Sequence, residues 1–374
     1  NDEKKEEGEK EDGSSSSQSQ EEKQQQEKDI VDSVKEEHEM TIFNSLGRDE
    51  SFDSLKEQEA KCGFLDYLGG DGHLTWIPMH FDSLILHKLM RFREINIIGA
   101  QAFKILNDIR VLSLSFIFVF GHTSLSNPRL CEYLNIENCS LYCQQAKIPT
   151  IENVQGAISD LLQLQFLYSN NIPNFDQLNF TINNTTGLAK KIITNIYNCL
   201  LTWNNSKMTE SQFSDQALFP LVLPLFAGRL DFEISKFDKT MIAMEDYKPD
   251  LLVLLKLRFD IRVDFFVCEI KKPCCSSNKY ETDFVKIQRE MKAIIDQQID
   301  LGINNPICYG LLVEGYDCYL YRMSLEYEAE YRSHLIAQFR TLRDALDIML
   351  LLPAINILSY LDVNIYISSH KSMS

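Results

Sequence analysis

Glycine and proline are sparse, at 15 and 10 of 374 residues, which excludes a collagen-like or proline-rich fibre. No uninterrupted apolar run reaches membrane length. The apolar run from Val111 to Phe120 is about half the length a membrane helix needs. It reads as a buried helix or strand, and no membrane span is expected. Cysteine is present but unorganised: none of the ten forms a C-x-x-C pair. Cys139 and Cys143 are spaced to share a helix face, yet no partner pair follows at zinc-finger spacing. Scattered cysteines without a secretory signal point to a nuclear or cytoplasmic chain with reduced thiols. The first residue is Asn and not Met, so the missing signal itself weighs little. Asn179-Phe180-Thr181 and Asn183-Asn184-Thr185 match the glycosylation triplet and are read as chance. There is no G-x-x-x-x-G-K, no G-x-G-x-x-G after a strand, no G-x-S-x-G and no H-E-x-x-H.

What is there suffices for a core. Hydrophobic residues make up 44% and charged residues 24%, and the length suggests about two domains. The net charge is −17, but residues 1–40 hold 15 Asp or Glu against 6 Lys. About half of the acidity therefore sits in a tail, and it argues only weakly against a nucleic-acid partner. That tail has almost no apolar side chains to offset its chain entropy, so disorder is expected over 1–40.

Residues 41–206 read as a mostly helical region. Ile85, Leu86, Leu89, Met90 and Phe92 recur at helical spacing, as do Val154, Ile158, Leu161, Leu162 and Leu164, and Ile192, Ile193, Ile196, Leu200 and Leu201. His80 and His87 are spaced for one helix face but are too few for a metal site. A partner protein for this region is left open. From 207 to 352 the pattern is a helix near Thr209, strands at Thr240–Met244, Leu251–Leu255 and Asp260–Lys271, and a helix over Glu281–Leu301 ended by Gly302. Strands at Ile307–Val313 and Cys318–Met323 follow, then a helix from Leu342 that stops near Pro353. Residues 353–374 read as a C-terminal tail. The fold class is thus α+β or α/β, with a core of helix, three-stranded antiparallel sheet, helix and further strands.

One constellation carries chemistry. Asp250 opens one strand, and Glu269 and Lys271 lie two apart near the end of the next, so they share a face. If the two strands form a hairpin, Asp250 comes beside Glu269. Two carboxylates can hold a hard divalent cation such as Mg²⁺ or Mn²⁺, and a neighbouring lysine can orient water or stabilise developing negative charge. The plainer reading is a solvated cross-strand charge pair with Asp250 as a strand-start residue.

Pro249-Asp250 followed by Glu269-Ile270-Lys271, in this strand and helix order, resembles the PD-(D/E)XK nuclease superfamily over about 145 residues. The resemblance implies a metal-dependent nuclease acting on DNA, with Asp250 and Glu269 as metal ligands and Lys271 as catalytic lysine. It also implies an acidic residue on the first core helix, for which Glu210 is the candidate. Glu210 shares a helical face with Phe213, Ala217 and Leu221, although Pro220 interrupts that helix. The segment from Lys248 through Glu269-Ile270-Lys271-Lys272-Pro273 to Gly310–Gly315 also resembles a large group of uncharacterised fungal proteins, which supports a domain and not a function. Nine basic residues stand against six acidic ones between Lys256 and Lys292, and four of them (Lys279, Lys286, Arg289 and Lys292) lie on or beside the helix after the motif. They are placed either to contact a phosphate backbone or to solvate that helix. Gln288 and Gln297 are further candidates on the same helix. The alternative function is an inactive, nuclease-derived module that binds protein or nucleic acid.

Overall fold

The computed structural model describes residues 79–102, 106–121, 130, 154–171, 180–202, 208–237, 239–273, 282–326 and 330–373. They belong to one compact unit, Pro78–Ser374. The expectation for the acidic tail lies outside the described residues, as do Lys279 and the Cys139/Cys143 pair.

The architecture is α+β, a seven-stranded mixed sheet with helices. Helices α1 (Met79–Gln101) and α2 (Asp108–Leu114) precede β1 (Ile117–Phe120); α3 (Val154–Asn171) and α4 (Gly187–Leu200) follow. Then come α5 (Glu210–Phe213), α6 (Phe219–Val222), β2 (Phe232–Lys236), β3 (Leu251–Lys256) and β4 (Arg262–Lys271). The chain continues through α7 (Asp283–Asp300), β5 (Ile307–Glu314), β6 (Asp317–Glu326), β7 (Glu330–Arg340) and α8 (Leu351–Met373). The strand order is β1-β7-β6-β5-β4-β3-β2. Strands β2 and β3 pair antiparallel, as do β3 and β4, and β4 pairs in parallel with β5.

Both faces of the sheet are covered, so its central strands are apolar on both sides. Leu251–Leu255 are all buried, and so are Val263–Ile270. Leu252, Leu254 and Val267 face the layer that contains α7; a register shift between Val253 and Leu254 breaks the alternation, so Phe265 joins the opposite layer with Phe266. Leu251, Val253, Phe266 and Cys268 face the layer of α4, α6 and α8. Helix α7 lays Phe284, Ile287, Met291, Ile294 and Ile295 on the sheet. Each such side chain contributes about 1.5–3 kcal/mol on burial. Thr282 caps the helix by accepting from the Val285 N–H at 3.2 Å.

Several expectations need correction. Thr240–Met244 is not a strand; Met241 N–H donates to Tyr247 O and Tyr247 N–H to Met244 O, which closes the segment into turns. The first strand of the meander is Phe232–Lys236 instead, where apolar Phe232 and Ile234 alternate with polar neighbours. The mostly helical region contributes β1, which pairs in parallel with β7. Strand β7 was not anticipated at all. Pro353 does not stop a helix. It sits in the first turn of α8, where a missing N–H costs no hydrogen bond. Residues 353–374 are accordingly helical up to Met373, and Ala354, Ile355, Leu358, Leu361 and Ile365 are core residues. The stretch Leu346–Ile367 is long and apolar enough to cross a membrane, although 44% of its most apolar window is buried inside the protein. Around Pro220 the helix passes through a π turn, Ser214–Leu218, before α6 restarts with that proline in its first turn. In the helical layer the buried Asp160 accepts from the Thr185 hydroxyl at 2.5 Å. The second glycosylation-type triplet thus spends its hydroxyl inside the fold.

Gly310 on β5 lies directly under the side chains of α7. A Cβ built there would lie 2.5 Å from Met291 Sδ and 3.3 Å from Ile287 Cδ1. Gly310→Ala should therefore lower stability by about 1–3 kcal/mol, because the buried Met291 side chain must give way in a packed layer. Urea unfolding measures it, and an unchanged midpoint would show that α7 docks less tightly.

Candidate functional site

The hairpin of β3 and β4 places Asp250 where the spacing suggested. Leu251 pairs with Cys268 and Leu252 with Val267, so Asp250 stands one step beyond the ladder, opposite Glu269. Its own side chain continues the ladder: Asp250 Oδ2 accepts the Ile270 N–H at 2.7 Å. Its carbonyl accepts the Phe237 N–H at 2.9 Å on the other side. Pro249 ends the strand by having no N–H to offer.

Glu269 is 3% exposed, in a strand otherwise built of apolar residues. A carboxylate there is costly unless compensated. The compensation comes from α7. Lys286 Nζ donates to Glu269 Oε1 at 2.7 Å and to the Lys248 carbonyl at 3.0 Å. It also stands 3.6 Å from Glu290 Oε1, one helical turn further on. Glu290 is fully buried, and neither of its oxygens has a donor as long as the neighbouring carboxyls are all ionised. One ammonium therefore faces three carboxyls.

The acidities follow from this crowding. Burial, then the charge of Asp250, raises Glu269 to about 7. Burial and the charge of Glu269 push Glu290 well above the usual carboxylate range. Burial also raises Asp250, against the pull of the Ile270 N–H and Lys286. Lys286 is raised despite its burial, because Glu269 and Glu290 favour its charged form. The arrangement that satisfies all four is Glu290 carrying a proton and donating it to Glu269, with Lys286 charged between them.

Lys271 ends β4 on the same face as Glu269, half-buried and opposite Glu314. Its charge pulls the Glu314 carboxyl down against a larger upward push from burial. The same cross-strand row continues through Asp317 on β6 to Arg340 on β7, whose Nε donates to Asp317 Oδ1 at 2.7 Å. Beside that row lies a shallow cavity of about 190 Å³ lined by Asp317, Tyr319, Gln338, Phe339 and Arg340.

Other sequence candidates lie elsewhere. Glu210 opens α5 and is exposed; its charge acts on Asp250, while the buried third carboxyl beside Glu269 is Glu290. Gln297 accepts from the Asp264 N–H at 2.9 Å, near the opposite end of β4. Gln288 is fully buried with no hydrogen-bond partner for its amide. Of the basic residues, Lys292 is paired with Asp296 and Arg262 with Glu233. Lys286 points into the site and not toward solvent as a helix-face charge would. Sequence reasoning missed Glu290; the available signal was its i, i+4 spacing from Lys286 beside the apolar stripe of α7.

The donor set suits a hard divalent cation in kind, because the crowded carboxyls hold their protons more tightly than free ones and a cation would relieve that crowding. Lys286 already holds one positive charge at Glu269. Among the described residues, no group of three or more His, Cys, Asp or Glu side chains is arranged around a common metal position. No family model matches the chain, and no curated protein or solved structure is similar to it.

The Glu269–Glu290 pair binds its proton more tightly when folded than when unfolded. The part of this stabilisation that belongs to Glu269 is present below about pH 4.5 and is lost as pH rises through about 7. Glu290→Gln keeps a donor for Glu269 without needing that proton. The variant should gain stability over the parent as pH rises from 5 to 8, by up to about 3 kcal/mol in metal-free buffer. Urea midpoints across that range test it, and a constant difference would mean that the pair does not share a proton.

Proposed function

We propose that this chain is a metal-dependent nuclease that hydrolyses phosphodiester bonds in DNA. The observation that carries the reading is the juxtaposition of Asp250 and Glu269 across the β3–β4 hairpin, with Lys271 on the same face. The element order around them supports it too: a helical segment, the antiparallel strands β2, β3 and β4, the helix α7, and β5 parallel to β4. That is the order on which the resemblance to the PD-(D/E)XK superfamily rests. The cationic ends of Lys271 and Lys286 suit an anionic substrate.

In this reading Asp250 and Glu269 would hold Mg²⁺ or Mn²⁺, and the chemistry such a cation would supply is polarisation of the phosphate and a lowered pKa for water. The Ile270 N–H fixes the Asp250 carboxylate, so its orientation is set before substrate arrives. Lys271 stabilises negative charge that develops on the phosphate. The low exposure of Glu269 keeps bulk water from weakening these interactions.

A second reading has its own observation. The 2.7 Å bond from Lys286 to Glu269 neutralises the central carboxylate without any metal. That is the arrangement expected if the scaffold has lost hydrolysis and serves as a binding module for protein or nucleic acid.

Incubation of plasmid and single-stranded oligonucleotides with Mg²⁺ or Mn²⁺ separates the two. Under the nuclease reading the parent cleaves, and Glu269→Gln and Lys271→Ala each lose at least about 100-fold. Mn²⁺ should also raise the melting temperature of the parent and of Lys271→Ala, but hardly that of Glu269→Gln. A parent that neither cleaves nor responds to either metal is the result of the binding-module reading.

A further inference from the structure

We propose that Lys286 is a built-in counter-cation, which a divalent cation must displace before the site can act. The inference rests on the nuclease reading and adds its regulation. The Lys286 ammonium lies 2.7 Å from Glu269 Oε1, 3.6 Å from Glu290 Oε1 and 3.0 Å from the Lys248 carbonyl oxygen. The first two are oxygens of the very carboxyls that crowd the site, and Asp250 also feels its charge. Its side chain is 24% exposed, so the stem is packed while a path to solvent remains. Lys286 therefore does at Glu269 what a metal would do: it offsets a carboxylate held out of water. Glu290 strengthens the hold from the same helix, four residues on, and its buried oxygens have no other donor.

Two positive charges cannot share that position without repulsion. A cation arriving at Asp250 and Glu269 must drive the ammonium outward, where the flexible lysine stem carries it toward solvent. The chain would thus be stable without metal and would bind metal more weakly than its carboxylates alone allow. Chains with and without bound cation would differ in the position of one side chain.

The test uses the full chain and Mn²⁺ as the probe. Isothermal titration calorimetry is run on the parent, Lys286→Met and Lys286→Gln. Both variants should bind Mn²⁺ about tenfold or more tightly than the parent, and both should melt lower than the parent in chelator but recover with Mn²⁺. The parent alone supplies a second measurement that needs no variant to fold. Reductive methylation followed by peptide mass spectrometry should show Lys286 labelling several-fold faster with Mn²⁺, with Lys256 unchanged as a control. Mn²⁺ binding and DNA cleavage by the parent, with no gain in affinity in the variants or no gain in Lys286 labelling, would overturn this inference and leave the nuclease reading standing. No Mn²⁺ binding by the parent or by either variant would overturn both.

Discussion

Taking carboxyl groups out of water at the end of β4 is the constraint around which this structure is organised. Glu269 sits among apolar neighbours in the middle of the sheet, and Asp250 and Glu290 lie against it. Such a group is tolerated only with a cation, a shared proton or both. The fold supplies both from α7, through Lys286 and Glu290. The helix must therefore hold one register and one height above the sheet. The close approach at Gly310 fixes that height, and the Thr282 cap fixes where the helix begins. The polar site and the apolar packing of α7 are one requirement seen from two sides.

The position of the site follows from strand direction. β4 and β5 run in parallel, so their last residues reach the same edge of the sheet, and β3 begins at that edge because it runs the other way. Lys271, Glu314, Asp317 and Arg340 form a charged row across four strands there. Carboxyl ends of parallel strands are a common place for ligands, because helix and strand ends leave backbone groups and charged side chains facing open space.

Much of this was legible before any coordinates. The Val-, Phe- and Ile-rich run of β4 showed the strand, and the two-residue spacing of Glu269 and Lys271 near its end put both on one face. Gly302 marked the end of α7, and Gly315 the β5–β6 turn; both have positive φ, at 72° and 66°. Three things were hidden. Glu290 and Lys286 looked like solvated helix charges, because sequence spacing does not say which flank of a helix turns inward. β7 was hidden because charged and polar residues interrupt its pattern: Glu330 and Arg332 are buried as an ion pair with each other, which reads in sequence as a surface stretch. Pro353 was read as a helix stop, although a proline marks a helix start equally well. Thr240–Met244 shows the reverse error, an apolar run too short and too isolated to find a partner strand.

The parallel pairing of β1 with β7 joins Ile117–Phe120 to Tyr331–His334. These partners lie more than two hundred residues apart in the chain, and the four residues of β1 are buried. During synthesis an apolar Ile-Phe-Val-Phe segment emerges and waits for a partner made more than two hundred residues later. Until then it presents a bare edge of the kind that joins other chains as readily as its own. The growing chain must hide that segment, either in a provisional cluster with α1 and α2 or under a chaperone, while the two hundred residues between the partners are made.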